Sequence, residues 1–265
     1  MLKKFIKLYE DPRLKNVDYD SDDLLKIHGT ILEEKKAMNN VFSHFYNRCM
    51  DIDKKMFIGT GKKIEIGAGV SFMKKLYPDV MVTDVKKADH LDGVVDAQNM
   101  NLENSSVRAI YGINCFHHFP EPELFFNELN RVLINGGGCI LIDPYYGPLA
   151  EFLYAKLFKT ETFDKFQKDW GNSSGVMVGA NQALSYIVFV RDRETYCSKF
   201  PNLKIIYTER LNNYLEYLVS GGLNFKQLIP DNFFPIIKFI EFLLTPLSKF
   251  FALHHIVVIK KIDEL

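Results

Sequence analysis

A short apolar run ends in two glycines one residue apart: Lys62 to Phe72 read KKIEIGAGVSF. The pattern predicts a strand over 62–66, a tight turn, and a short helix in SFMKKLYP. Such a turn presents backbone N–H groups and a helix N-terminus to an approaching ligand. Further short apolar runs follow in DVMVTD, LDGVVDA, VRAIYGIN and GCILIDPY. Between the last two lies EPELFFNELNRVLI, an amphipathic helix expected to stop at the triple glycine 136–138. Apolar strands alternating with helices imply an α/β fold, a mainly parallel sheet with helices on both faces.

The flanks read differently. Residues 1–60 are expected to be mostly helical, with Ser21 as a cap. After Tyr146, GPLAEFLYAKLF reads as helix and TETFDKFQKDWGNSSGVMVGAN as a long polar segment of the functional or mobile kind. QALSYIVFVRDRETYCSKF reads as helix again, and LKIIYTERL and HHIVVIKKI as two late strands. The expected organisation is one domain over 1–265. In it, 1–60 is a helical cover, 61–147 a cofactor-binding core, 148–253 a substrate cover carrying strand six, and 254–265 the last strand.

Composition narrows the function. The net charge is zero and the lysine pairs are scattered, so no nucleic-acid footprint is expected. The four cysteines, Cys49, Cys115, Cys139 and Cys197, lie far apart without a C-x-x-C pair, so no metal site and a reducing compartment are expected. MLKKFIKLYEDP lacks a continuous apolar core, and the terminal IDEL is read as chance, which gives a cytoplasmic expectation.

The glycine turn by itself serves several cofactors. For NAD the third small position of G-x-G-x-x-G/A would hold Gly or Ala, but Phe72 stands there. A phosphate loop would need a following G-K-S/T, which is missing. Asp84, 17 residues after Gly67, ends the second strand, where an ionised acid can accept from both ribose hydroxyls. Asp96 follows the short third strand, where a carboxylate can accept from an adenine amino group.

Taken in order, IEIGAGVS, VTD, VVDAQNMNLENSSVRAIYGINCFHHF and ELNRVLINGGGCILIDPY resemble the class I S-adenosylmethionine-dependent methyltransferases over roughly residues 60–147. The resemblance implies a Rossmann-like sheet of seven strands with the last antiparallel, and S-adenosyl-L-methionine as cofactor. It implies Glu65, Gly67, Ala68 and Gly69 under the methionine part, Asp84 and Val85 at the ribose, Asp96 and Ala97 at the adenine, and Asn114 beside the sulfonium. One departure is evident: only residues 85–92 separate the second strand from the third, too few for the usual crossover helix. Two rival readings remain, a non-catalytic binding protein of the same fold and an NAD(P)-dependent enzyme.

Methyl transfer is an in-line displacement that depends on positioning. His117 and His118 fall just beyond the fourth strand and are candidate catalytic bases. Tyr145, Tyr146, Trp170 and Asn181 are candidate substrate residues, and Tyr46 a candidate cofactor cover. The expected acceptor is a small molecule, such as a sugar or lipid-linked glycan. The apolar stretch 233–253 carries a narrow polar stripe, Lys238, Glu241, Thr245 and Ser248, on helix kinked at Pro246. Its expected role is a lid that buries its apolar face, with peripheral membrane contact or homodimerisation as the alternatives.

Overall fold

The computed structural model describes residues 9–15, 17, 21–70, 72–156, 161–171 and 180–262. Seven strands form one sheet in the order β3-β2-β1-β4-β5-β7-β6. They are β1 (Lys62–Ile66), β2 (Met81–Asp84), β3 (Gly93–Val94), β4 (Val107–Ile113), β5 (Leu133–Pro144), β6 (Leu203–Arg210) and β7 (His254–Lys261). The first five pair in parallel. β7 runs antiparallel to both β5 and β6. This is the mainly parallel sheet that the alternation of runs implied, in the seven-stranded Rossmann-like arrangement that the resemblance implied, with strand order reversing between β1 and β4.

Helices α1 (Asp22–Glu34) and α2 (Lys36–Met56) make up the described part of the N-terminal cover. Ser21 stands at the N-cap of α1 but its side chain makes no capping bond. Helix α3 (Phe72–Leu76) follows the glycine turn, and α4 (Pro122–Val132) precedes β5. Two apolar layers result. On one sheet face α2 and α3 bring Phe45, Cys49, Ile52, Phe72 and Met73 onto Val82, Tyr111, Ile140 and Val258. On the other, α4 and the helical stretch 184–199 bring Phe125, Phe126, Leu129, Val188 and Tyr196 onto Ile64, Ile110, Leu141 and Val257.

Two local expectations need correction. Helix α4 ends at Val132, and the triple glycine lies inside β5 instead of closing the helix. Space explains this: a Cβ on Gly138 would come within 2.3 Å of the Ile259 carbonyl and 2.4 Å of the Phe57 ring. The stretch from 184 is not one regular helix. A wide π-helical turn, Ile187–Arg191, separates a single turn at Leu184–Tyr186 from Arg193–Lys199. A further helix, Tyr214–Ser220, follows β6. No helix occupies residues 85–92, so the reduced crossover read from its length is real. β3 keeps only two residues as a consequence.

The cover is tied to the sheet by a buried charge. Asp53 of α2 accepts from Arg108 Nη1 at 2.8 Å and from the Tyr111 hydroxyl at 3.0 Å, both on β4. Asp53→Ala would strand a guanidinium and a phenol, a loss of roughly 3–5 kcal/mol. Urea denaturation should show it as a lower midpoint with the slope unchanged.

Candidate cofactor and acceptor site

The parallel strands end side by side at the point where strand order reverses, and the glycine turn leaves β1 there. Gly67 has φ +62° and Gly69 φ +50°. A Cβ on Gly67 would meet Cys115 Cβ at 2.6 Å. Glycine is therefore required by the neighbouring strand end as well as by the left-handed backbone. Gly69 N–H donates to Asp84 Oδ2 at 3.0 Å, and Lys86 N–H donates to Asp84 Oδ1 at 3.1 Å. His90 Nε2 lies 2.7 Å from the Gly69 carbonyl. Asp84 thus sets the turn while each oxygen keeps a lone pair for another donor. Val85 beside it is exposed, and Ala68 is buried beneath the turn.

Glu65 sits under the turn, 1% exposed. Its Oε1 accepts from the Tyr46 hydroxyl at 2.7 Å, while Oε2 is buried without a partner among the described residues. Burial pushes the carboxyl up to about 8, the Tyr46 hydrogen bond opposing and the Asp84 charge adding to it. Tyr46 itself is buried and stacks on Phe72 at 6.1 Å. Asn114 has φ +51°, its N–H donates to the Ile142 carbonyl at 2.7 Å, and its Oδ1 is buried and unpartnered. Asp96 is exposed and accepts from Gln98 N–H at 2.9 Å, with Ala97 buried next to it.

Beyond β4, His117 and His118 occupy a single 3₁₀ turn, Phe116–His118. His117 is 3% exposed and held from both sides. Its Nδ1 is 3.0 Å from Asp143 Oδ1, and its Nε2 is 3.2 Å from Glu161 Oε2. His118 Nε2 is 3.8 Å from Glu161 Oε1. Burial opposes charge on the His117 ring, but the Asp143 and Glu161 carboxylates outweigh it and raise the ring to about 10. Sequence reasoning missed Asp143 and Glu161. Asp143 lay in an apolar run, and Glu161 is 43 residues downstream of His118.

Tyr145 and Tyr146 follow β5, their rings 4.4 Å apart. With Arg210, Glu209, Thr208, Ser248 and His255 they line a half-open polar cavity of about 280 Å³. Trp170 takes a different place from the ring-stacking one considered for it. It packs in the core, edge-on to Phe126 at 6.3 Å, and its Nε1 donates to Asp192 at 2.9 Å. Asn181 is fully buried and spends its side chain on its own loop, donating to the Asp164 carbonyl and Gln167 and accepting from the Asp164 and Ala183 N–H groups.

Residues 67–141 match the family model described as a methyltransferase domain. No curated protein matches. Among solved structures, geranyl diphosphate C-methyltransferase from Streptomyces coelicolor A3(2) is 13% identical, with 96% of this chain and 89% of that chain covered and a TM-score of 0.48. A putative sarcosine dimethylglycine methyltransferase from Galdieria sulphuraria is 13% identical, with 92% and 100% covered and a TM-score of 0.47. Phosphoethanolamine N-methyltransferase 2 from Haemonchus contortus is 13% identical, with 82% and 53% covered and a TM-score of 0.44. The chain thus spans about half the length of that last protein. Residues 67–141 thus carry a methyltransferase domain, and S-adenosylmethionine is the cofactor that such a domain implies.

The residues present fit that cofactor. Glu65 Oε2 and Asn114 Oδ1 are buried acceptors with no donor among the described residues. They would receive the methionine end, with Asp84 at the ribose and Asp96 at the adenine. A cation beside Glu65 favours its charged form. The group should therefore bind a proton in the free protein at pH 7 and release it when the cofactor enters. The facing groups, Tyr46, Asp84, Cys49 and Cys115, supply no positive charge to do this beforehand. Calorimetry in two buffers of different ionisation heat should detect proton release below pH 8, absent in Glu65→Gln. Heats independent of buffer would place the cofactor's charge elsewhere. The sign for stability is the converse: a folded value above the unfolded one makes the free protein lose stability as pH rises from about 4.5 towards 8.

Proposed function

We propose that the protein methylates a small acceptor carried on a lipid, a lipid-linked glycan being the chemistry that fits best, while resting on a membrane surface. The observation that carries this reading is helix α8 (Phe234–Leu244) together with the turns that follow it to Phe251. The sequence expectation was a lid, with the narrow polar stripe outward and the apolar face buried. The packing is the reverse. Glu241 is 4% exposed and accepts from Glu216 N–H at 2.9 Å, at the start of the helix Tyr214–Ser220. Asn212 donates to the Glu241 carbonyl and to Thr245 Oγ1. The polar stripe is therefore the side that touches protein.

The apolar side faces outward. Phe239 is 61% exposed and Phe242 72%. Ile236, Leu243, Leu247 and Phe250 are exposed as well. A contiguous apolar patch of this kind marks an interaction surface. Lys249 sits over the Phe250 ring at 4.9 Å, and Lys238 is half-exposed beside the patch. Aromatic and leucine side chains flanked by lysine suit the headgroup boundary of a bilayer. No helix among the described residues is long and apolar enough to cross a membrane, so the contact would be peripheral. Lys249 also ties this region to the polar cavity, since its carbonyl packs on Gly147, just past Tyr145 and Tyr146. A lipid-borne polar head near that cavity would have its tail close to the patch.

For the reaction, positioning of the acceptor atom behind the methyl carbon supplies much of the rate. His117 is proposed to hold and not to abstract a proton, a reading supported by the carboxylates that face both ring nitrogens. Tyr145 and Tyr146 are proposed as walls for the acceptor.

The wild-type protein should co-sediment with anionic vesicles, and a Phe239→Asp, Phe242→Asp variant should remain in the supernatant with its melting temperature unchanged. Turnover to S-adenosylhomocysteine should be higher on vesicle-borne acceptors than on their water-soluble headgroups. A stable dimer that buries Phe239 in solution, or a variant that fails to fold, would overturn the membrane reading.

A further inference from the structure

We propose that His117, His118 and Glu161 form a binding site for a zinc-like divalent cation, with Asp143 as the group that orients His117. The sequence expectation was no metal site, because the cysteines lie far apart without a C-x-x-C pair. The fold brings them together. Their candidate ligand atoms all lie within 4.8 Å of one another. Ligands at zinc distances of 2.0–2.2 Å on a tetrahedron stand roughly 3.3–3.6 Å apart. The two oxygens of Glu161 each face one ring near that spacing, Oε2 at 3.2 Å from His117 Nε2 and Oε1 at 3.8 Å from His118 Nε2.

The hydrogen bonding points the same way. Asp143 is 1% exposed, and its Oδ1 faces His117 Nδ1. A proton on Nδ1 satisfies that contact and leaves the Nε2 lone pair aimed at Glu161. That position can be filled by a second proton, which makes His117 an imidazolium, or by a bound cation that displaces it. A proton can join only one donor to one acceptor. Three converging donors from two imidazoles and a carboxylate, with the rings of His117 and His118 only 4.2 Å apart, can instead share one cation. A metal-bound histidine whose other nitrogen is held by a buried carboxylate is the usual outer arrangement around zinc.

The frame is fixed rather than adventitious. Asn181 N–H donates to the His117 carbonyl at 3.3 Å. Thr162, next to Glu161, bridges to Asn181, and its hydroxyl donates to the Ala180 carbonyl at 2.7 Å. The role of Asn181 is thus to bind the Glu161 segment to the His117 turn. Two nitrogens and one carboxylate oxygen favour zinc over magnesium or calcium, which prefer all-oxygen sets. Three protein ligands leave a fourth position open, as in zinc sites that take a substrate oxygen. His118 and Glu161 are each partly exposed, so that position can be reached. An acceptor hydroxyl or phosphate oxygen is the ligand class it would take. This last use rests on the proposed methyl transfer, whereas the cation binding does not.

The test needs neither cofactor nor acceptor. The full chain, stripped with chelator and dialysed at pH 7.5, would be titrated with Zn²⁺ against a chromophoric competitor, and with Co²⁺ for its visible absorption. One equivalent of Zn²⁺ and a tetrahedral cobalt spectrum are expected. His118→Gln and Glu161→Gln should each abolish the spectrum, and Asp143→Asn should weaken Zn²⁺ binding by about 10–100-fold. Zn²⁺ should also raise the melting temperature of the wild type but not of His118→Gln. Should a variant fail to fold, the wild-type titration decides alone: no zinc above the buffer blank overturns the site. A cobalt spectrum unchanged in His118→Gln overturns it too, since the metal would then sit on other histidines or on Cys197.

Discussion

The close approach of Gly67 to Cys115 sets the geometry of the whole ligand-binding edge. β1 and β4 are neighbours from which the strand order departs in opposite directions. Their carboxyl ends bound a crevice, and only a residue without a Cβ can turn between them at a left-handed φ. The rest of the site hangs from that turn. Gly69 N–H reaches Asp84, Glu65 lies beneath, and Asn114 stands across the crevice with its own positive φ. Two buried acceptors, Glu65 Oε2 and Asn114 Oδ1, have no donor among the described residues.

Two further devices are built around this edge with opposite polarity. One is a buried charged cluster, Asp143, His117 and Glu161, held beyond β4 where an apolar core would ordinarily continue. Isolated charges there would be costly, and their convergence on one point keeps the arrangement affordable. The other is a helix that turns its glutamate inward and its phenylalanines outward. The first points to a small cation and a polar acceptor, the second to an apolar surface outside the protein. A polar headgroup on a lipid tail would satisfy both.

Much of the cofactor half was legible because it is local. A strand, a glycine turn and an acid on the next strand end lie within a few dozen residues, and each has a sequence signature. The missing crossover helix was legible too, because chain length between β2 and β3 is a hard limit. Other features were invisible for a physical reason. The triple glycine reads as a helix stop, but its function is steric clearance against Phe57 and Ile259, partners far away in sequence. Trp170 reads as a candidate substrate residue in a polar loop, yet Asp192 and Phe126 draw it into the core. The orientation of helix α8 was misread because its stripe fixes two faces without saying which one is inward. Glu216 and Asn212, 20 or more residues upstream, decide that.

The central claim is that the crevice at Gly67 holds S-adenosylmethionine through this chain's orphaned acceptors. A crystal structure of the complex with S-adenosylhomocysteine tests it most directly. The account predicts the amino group of the methionine end against Glu65 Oε2, the ribose hydroxyls on Asp84 and the adenine near Asp96. Density for the ligand in the cavity between Tyr145 and Arg210, with Glu65 Oε2 still unpartnered, would contradict it.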